Sequence, residues 1–178
     1  WKTFKQQDSS NVVRGLYVKA VATHADKIIN GRIYVRDRVA AGSQTFIKPF
    51  PKPVSKQHSD ADPIGRVIEQ KFVDTIDQLG PRFYSFKQLT SKVHRDKYID
   101  FLADNVLFKD NNLGTGYIEL GMDITDKEAI EKVMDERYLT MSIEFDTDHY
   151  YCSACYADWK AGEMCEHRPG QVVEGRPV

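Results

Sequence analysis

Three cysteines and a histidine form the pattern Cys152-x2-Cys155-x9-Cys165-x-His167 near the end of the sequence. A CxxC turn can present two thiolates to one tetrahedral ion, and a Cys-x-His pair can complete the set of ligands. Thiolates together with a neutral imidazole suit a borderline-soft cation such as Zn2+. Because four protein ligands leave no open coordination position, the predicted zinc site is structural rather than catalytic.

Other interpretations of the cysteines stay open. The thiols could be buried and free, or two of them could form a disulfide. An odd number of clustered cysteines nevertheless argues against a secreted disulfide framework and favours a reducing cytosol. If His149 or Asp158 replaced one of the four ligands, the site could be catalytic. In the preferred interpretation the metal holds a small polar insertion, residues 151–168, whose few apolar side chains could not form a core.

A histidine and a serine in two separate motifs could form a nucleophilic pair. His58 lies in PVSKQHSDADPIGRV (53–67), and Ser142 lies in YLTMSIEF (138–145). A serine hydroxyl is a poor nucleophile until a base takes its proton, and an imidazole is the usual base near neutral pH. Taken singly, His58 reads as a solvated loop residue and Ser142 as an ordinary strand residue. His24, His94 and His149 have no comparable context and are interpreted as surface residues.

Together the two motifs resemble those of the prohead (capsid-maturation) serine proteases of tailed bacteriophages. That family has a strand, a histidine, a short polar stretch, and Pro-Ile-Gly-Arg opening the next strand. Further along, a short helix runs into a nucleophile strand of the form Tyr-Leu-Thr-x-Ser-Ile-x-Phe. The histidine precedes the serine, as it does here. The resemblance implies that Ser142 attacks the scissile carbonyl while His58 accepts and then returns the proton.

The resemblance also implies a fold and a function. The expected fold is α+β, an assemblin-like β-barrel with flanking helices, formed by residues 1–178 as a single protease-like domain with the zinc-knuckle-like insertion at 151–168. The expected activity is that of a serine endopeptidase that cleaves scaffold and capsid-protein propeptides during prohead maturation. Its partners would be the phage scaffold and major capsid proteins, and also itself through autocleavage or oligomerisation. It would act in the host cytoplasm, inside the prohead or virion.

Two departures from the family pattern favour an alternative. The family usually has a glycine two residues after the serine, where this sequence has Glu144. Strand alternation would put Glu144 on the same face as Ser142, beside the developing oxyanion. No motif identifies the third, orienting residue; it could be Asp146, Asp148 or Glu174, or lie beyond Val178. The alternative is a catalytically inactive virion structural protein that retains the protease fold and the structural zinc site. A zinc-stabilised interaction module is a third possibility.

The composition argues against two classes of partner. Lys and Arg total 25 and Asp and Glu total 26, for a net charge of -1. Nucleic-acid binding normally needs a basic excess, so the sequence does not favour it. No apolar stretch approaches the ~20 residues needed to span a bilayer, and the polar first residues do not predict a signal peptide. The 41% of hydrophobic residues indicates a soluble globular protein.

The elements that must position these residues are predicted from periodicity. Strands are expected over residues 13–22, 32–39, 65–73, 117–124 and 138–145, with turns at Asn30-Gly31 and at 111–114. Three prolines exclude a central strand over 47–54. One or two amphipathic helices are predicted over 85–108. The tetrad Thr125-Asp126-Lys127-Glu128 predicts a capping box ahead of a helix through Met134.

Overall fold

The structure is a computed structural model that describes residues 15–58, 62–75, 114–144, 146–174 and 176–178. The helices predicted over 85–108 lie outside these residues, as does most of the turn predicted at 111–114. The described residues form a mixed α/β structure with a sheet curled into a half-barrel and two α-helices. The predicted mixture of strands and helices is confirmed, and the assemblin-like topology stays a prediction.

The main sheet has four strands in the order β1-β6-β5-β4. They are β1 (Leu16–Ala25), β4 (Pro53–Val54), β5 (Gly65–Asp74) and β6 (Gly116–Ile124). The strands predicted over 65–73 and 117–124 are therefore confirmed, and the strand predicted over 13–22 is confirmed where it is described. β4 is two residues long and pairs antiparallel with the start of β5. Its place at the end of the sheet fits the prediction that the proline-rich segment could not be a central strand.

The turn predicted at Asn30-Gly31 is confirmed, but the strand predicted to follow it is wrong after Ile33. β2 (Ile28–Ile29) and β3 (Arg32–Ile33) pair through the turn, whose two central residues have φ of 51° and 71°. The chain then enters α1 (Arg36–Gly42) and a short 3-10 turn (Ser43–Phe46). The backbone N–H of Arg36 donates to Asp26 Oδ1 at 3.1 Å. This contact satisfies a donor at the helix start from ten residues away, so local periodicity could not indicate it.

The second helix, α2 (Lys127–Met134), confirms the helix predicted before the serine motif. Its capping residue is Asp126 rather than Thr125, because Asp126 Oδ1 accepts the N–H of Ala129 at 2.8 Å. The strand predicted over 138–145 is wrong for residues 138–144, which have no ladder partner in the described part of the chain. Burial in this segment still alternates, with Met141 and Ile143 half-buried between exposed neighbours, as in extended backbone.

The core of the sheet lies along β6, where every second side chain is buried. Ile118, Leu120, Met122 and Ile124 are each 4% exposed or less. This period of two is that of a strand with one face against a core. Gly65 at the start of β5 lies against the same strand: a Cβ at this position would come 2.2 Å from the carbonyl oxygen of Asp123. The Pro-Ile-Gly-Arg motif thus requires glycine at its third position for close backbone packing.

The described residues divide into two compact units. The first contains most of the main sheet, α2, His58 and Ser142, and the second contains the cysteine cluster. In numbers, the first comprises 15–23, 38–58, 62–73 and 117–144, and the second comprises 24–37, 74–75, 114–116, 146–174 and 176–178. The second unit ends in the short hairpin of β7 (Val172–Val173) and β8 (Arg176–Pro177). No helix within the described ranges is long and apolar enough to cross a membrane.

Candidate functional site

The four predicted metal ligands come together in the second unit. The Sγ atoms of Cys152, Cys155 and Cys165 and a ring nitrogen of His167 all lie within 4.8 Å of one another. Cys152 Sγ and His167 Nδ1 are 3.6 Å apart. Two ligands of one tetrahedral zinc ion, with bonds of ~2.0–2.3 Å, would be roughly 3.3–3.8 Å apart. All three cysteines are free in this structure. The cluster is compatible with a zinc site.

A tight turn places the first two thiols on the same side. The N–H of Tyr156 donates to Cys152 O at 2.9 Å, and the N–H of Cys152 donates to Ala157 O at 3.0 Å. Tyr156 has φ of 65°, in the left-handed region that a non-glycine residue seldom adopts. Glycine usually marks such a position in a sequence, but here the residue is a tyrosine. The CxxC spacing is therefore the only sequence feature that indicates this turn.

The charges in the cluster favour a bound cation. Burial raises the pKa of Cys165, but hydrogen bonds from the Trp159 indole (Nε1–Sγ 3.2 Å) and from the backbone and ring of His167 lower that pKa to about 7. A backbone hydrogen bond from Ala157 lowers the pKa of Cys155, yet burial and the two neighbouring thiols raise it above its usual value. Three thiols this close cannot all ionise without a cation between them. The donor set therefore suits a metal that binds thiolates.

A buried carboxylate supports the turn from the other side. Asp158 is 6% exposed, and its Oδ1 accepts the backbone N–H groups of Tyr150 at 3.1 Å and Lys160 at 3.0 Å. Its Oδ2 lies 2.7 Å from His149 Nδ1. His149 first, and then the backbone donors, lower the pKa of Asp158 below its usual value. His149 and Asp158 pair with each other here and lie outside the four-ligand cluster. The sequence suggested both as substitute ligands, and it otherwise indicated a surface position for His149.

Asp158→Asn is expected to destabilise the second unit without removing its metal. The amide oxygen can keep both backbone contacts, but the side chain loses its charge and the charge-assisted pairing with His149, so we expect a melting temperature lower by roughly 3–8 °C at neutral pH. Thermal denaturation followed by Trp159 fluorescence measures this change, and elemental analysis measures the metal. The matched control is Asp146→Asn, because Asp146 is exposed. A melting temperature equal to that of the control would show that Asp158 does not stabilise the turn.

Aromatic contacts join the cluster to the β2–β3 hairpin of the same unit. The Trp159 ring meets the Tyr150 ring edge-on, with centroids 5.3 Å apart and planes at 81°. The Arg32 guanidinium lies 5.5 Å from the centroid of the Tyr150 ring, a cation–π distance. A Cβ at Gly31 would come 2.8 Å from Pro169 Cβ, so the turn of the hairpin packs closely on the segment after the last ligand.

The histidine and serine motifs meet in the first unit. The backbone N–H groups of Thr125 and Asp126, which precede α2, donate to Ile64 O at 2.9 Å and 3.1 Å. Lys56, two residues before His58, reaches Glu128 on α2, with Nζ–Oε2 3.1 Å. These bonds connect the Pro-Ile-Gly-Arg motif and the loop before it to the helix that precedes the serine. The sequence order of the motifs did not by itself predict this contact.

The structure brings His58 to the serine segment but does not join it to the serine. His58 is exposed, has φ of 49°, and lies in the connection from β4 to β5. Its Nδ1 is 3.6 Å from Oε2 of Glu144. Ser142 is exposed two residues earlier. Within the described residues of this unit, no hydrogen bond connects the His58 ring to the Ser142 hydroxyl. The predicted pair is thus close in the fold without being in catalytic contact.

Comparisons of this chain with protein-family models, with curated proteins and with solved structures find no match. A fold class alone does not imply an activity, so the information about function lies in the two sites. The metal cluster offers a closed ligand set. The His58 region offers an exposed imidazole, an exposed hydroxyl and a carboxylate within one surface of the first unit.

Proposed function

We propose that this chain is a serine endopeptidase of the prohead type, with Ser142 as nucleophile and His58 as general base. The observation that supports this proposal is the meeting of the two motifs, in which the His58 ring comes within 3.6 Å of Glu144, two residues after the serine. Both the imidazole and the hydroxyl are exposed, so a peptide can reach them. Contacts between a catalytic serine and its histidine are often long before substrate binds, so a structure without a hydrogen bond between these two residues is compatible with the proposal.

The proposed reaction follows from the chemistry of this pair. Ser142 Oγ attacks the peptide carbonyl while His58 Nε2 takes its proton, and the same proton passes to the leaving amine as the acyl-enzyme forms. A water molecule then attacks the ester with His58 again as base, which releases the acid product and frees the serine. The substrates are the propeptides of phage scaffold and major capsid proteins, with this chain itself as a further substrate, inside a prohead in the host cytoplasm.

The proposed occupant of the cysteine cluster is Zn2+, in a structural role. When bound it supplies four ligand bonds that fix the turn at Cys152 and the return at Cys165. With three thiolates and one imidazole the coordination is complete, so the metal has no position for a substrate. The ligands lie in the second unit, and the proposed chemistry uses only His58 and Ser142 of the first.

Cleavage of a capsid or scaffold protein in co-expression tests the proposal. Intact mass spectrometry is expected to show defined products with the wild type and none with Ser142→Ala or His58→Ala, a loss of at least ~10³-fold. The matched controls are Thr140→Ala and Gln57→Ala, exposed neighbours of the two residues, which should keep cleavage within about threefold. Products that persist in the serine variant would refute the assignment of the nucleophile.

A second function, that of an inactive virion structural protein, is favoured by one observation. The residue that stands next to the His58 ring is Glu144 rather than Ser142. A chain that has lost activity could keep such a pair as a simple ion pair on its surface. This alternative predicts no cleavage by any variant, with the chain retained in mature particles at a fixed stoichiometry. Bound zinc is expected under both proposals and cannot distinguish them.

A further inference from the structure

We propose that Glu144 is the missing third residue, a positioning residue that holds the His58 imidazole for Ser142. This inference rests on the proposed endopeptidase function and deepens it. The family pattern has glycine at this position, and the sequence alone made the carboxylate a liability beside the oxyanion. The structure instead directs it to the histidine, with Oε2 at 3.6 Å from Nδ1.

The spacing of Ser142 and Glu144 fits a ring held between them. The segment has the alternating burial of extended backbone, with both side chains on the exposed face. Two residues of extended chain span ~6.6 Å, so the two side chains leave their backbone at about this separation. An imidazole with one hydrogen bond at each ring nitrogen spans a similar distance. One ring can therefore bond Glu144 through Nδ1 and Ser142 through Nε2.

Lys56, the cation nearest His58 in the sequence, forms its ion pairs with residues other than Glu144. The ammonium of Lys56 lies 3.1 Å from Glu128 and 3.8 Å from Asp126, at the start of α2. Its charge is matched there. The Glu144 carboxylate lies 3.6 Å from the His58 ring, and this is the contact through which it can act on the histidine.

A carboxylate at Nδ1 would do two things for the reaction. It favours the tautomer with the proton on Nδ1, which leaves the lone pair of Nε2 to accept the proton of Ser142. It also stabilises the imidazolium that forms when Ser142 attacks. Glu144 itself touches neither the substrate nor the reacting atoms. Its effect on the rate is exerted entirely through His58.

The tautomer of His58 and the rate of cleavage together test this inference. In wild-type protein, ¹⁵N NMR of the neutral imidazole is expected to show the Nδ1–H tautomer, and Glu144→Gln is expected to shift it towards Nε2–H. The same variant should lower kcat by roughly 10²–10⁴-fold with little change in KM. Glu144→Asp, which restores a carboxylate, should recover part of the loss. Glu131→Gln, an exposed site on α2, is the matched control and should change neither quantity.

The outcomes separate this inference from the proposed function. Cleavage by the wild type that Glu144→Gln leaves unchanged would overturn the role of Glu144 and keep the endopeptidase. A tautomer that changes in Glu144→Gln, in a protein that cleaves no capsid or scaffold substrate, would support the His58–Glu144 pair and refute the endopeptidase. An Nε2–H tautomer in the wild type would overturn the pairing directly.

Discussion

Removing the metal is expected to unfold the segment that carries the four ligands. In the described part of this segment, the buried side chains are only Cys152, Tyr156 and Asp158. Burying one aromatic or aliphatic side chain stabilises a fold by about 1.5–3 kcal/mol, whereas zinc binding to a structural site contributes ~10–16 kcal/mol near neutral pH. Metal binding therefore stabilises the segment several-fold more than the burial of any one of these side chains. Cys152→Ser, or a strong chelator, should reduce bound zinc from one ion per chain to none.

Limited proteolysis and near-ultraviolet circular dichroism measure the consequence. Without metal, cleavage is expected within residues 146–174, together with loss of the signal from Trp159 and its neighbouring tyrosines. Met164→Ala is the matched control, since this side chain lies between two ligands in sequence and is 79% exposed. It should keep both the zinc and the resistance to proteolysis. A metal-free chain that stays resistant to proteases would contradict a structural role for the metal.

Replacing Gly65 with alanine is expected to lower the free energy of unfolding by about 3 kcal/mol or more. The added Cβ would lie 2.2 Å from the carbonyl oxygen of Asp123 and 2.9 Å from the Cα of Ile124. Both are backbone atoms of the neighbouring strand β6, so no side-chain rotation can relieve the clash. β5 must move away from β6, where four of the best-buried side chains lie. Urea denaturation of the zinc-loaded protein measures the loss.

Gly42→Ala is the matched control for this substitution. An added Cβ at Gly42 meets no atom within 4 Å, and the backbone has φ of -68°, which alanine adopts readily. We expect a change within about 1 kcal/mol, with a small gain because the unfolded chain loses freedom. Equal stabilities of the Gly65 and Gly42 variants would show that β5 and β6 do not approach as closely as the structure indicates.

The parts of the fold that sequence predicted are those with a local signal. Two-residue periodicity identified β5 and β6, Asn30-Gly31 identified the hairpin turn, and ligand types with CxxC spacing identified the metal cluster. Helix α1 was missed because the contact at its start comes from Asp26, ten residues earlier. The serine segment was predicted as a strand because its alternation is real, but a ladder also needs a partner, which alternation does not specify.

In the candidate catalytic site, too, the sequence motifs identified individual residues but not the contacts between residues far apart in the sequence. The motifs identified His58 and Ser142. The backbone N–H groups before α2 donate to Ile64 O, and these hydrogen bonds bring the two motifs together. The sequence placed Glu144 on the same strand face as Ser142, and from this position alone its carboxylate was interpreted as unfavourable beside the oxyanion that forms during the reaction. Its proposed role depends on which side chain faces it across the fold. That contact joins residues 86 positions apart, since 144 − 58 = 86, and no pattern of neighbouring residues contains it.

The brevity of β4 has a consequence for how the protein behaves at high concentration. A long open strand at the margin of a sheet exposes a row of backbone donors and acceptors, which can pair with another copy and start aggregation. Here the sheet ends in a two-residue strand, and its first residue, Pro53, has no N–H to donate. β4 itself therefore offers little backbone for another molecule to extend, but it covers only Gly65 and Arg66 of the ten-residue β5. Any backbone pairing with a second copy on this side of the sheet would therefore have to use β5 rather than β4.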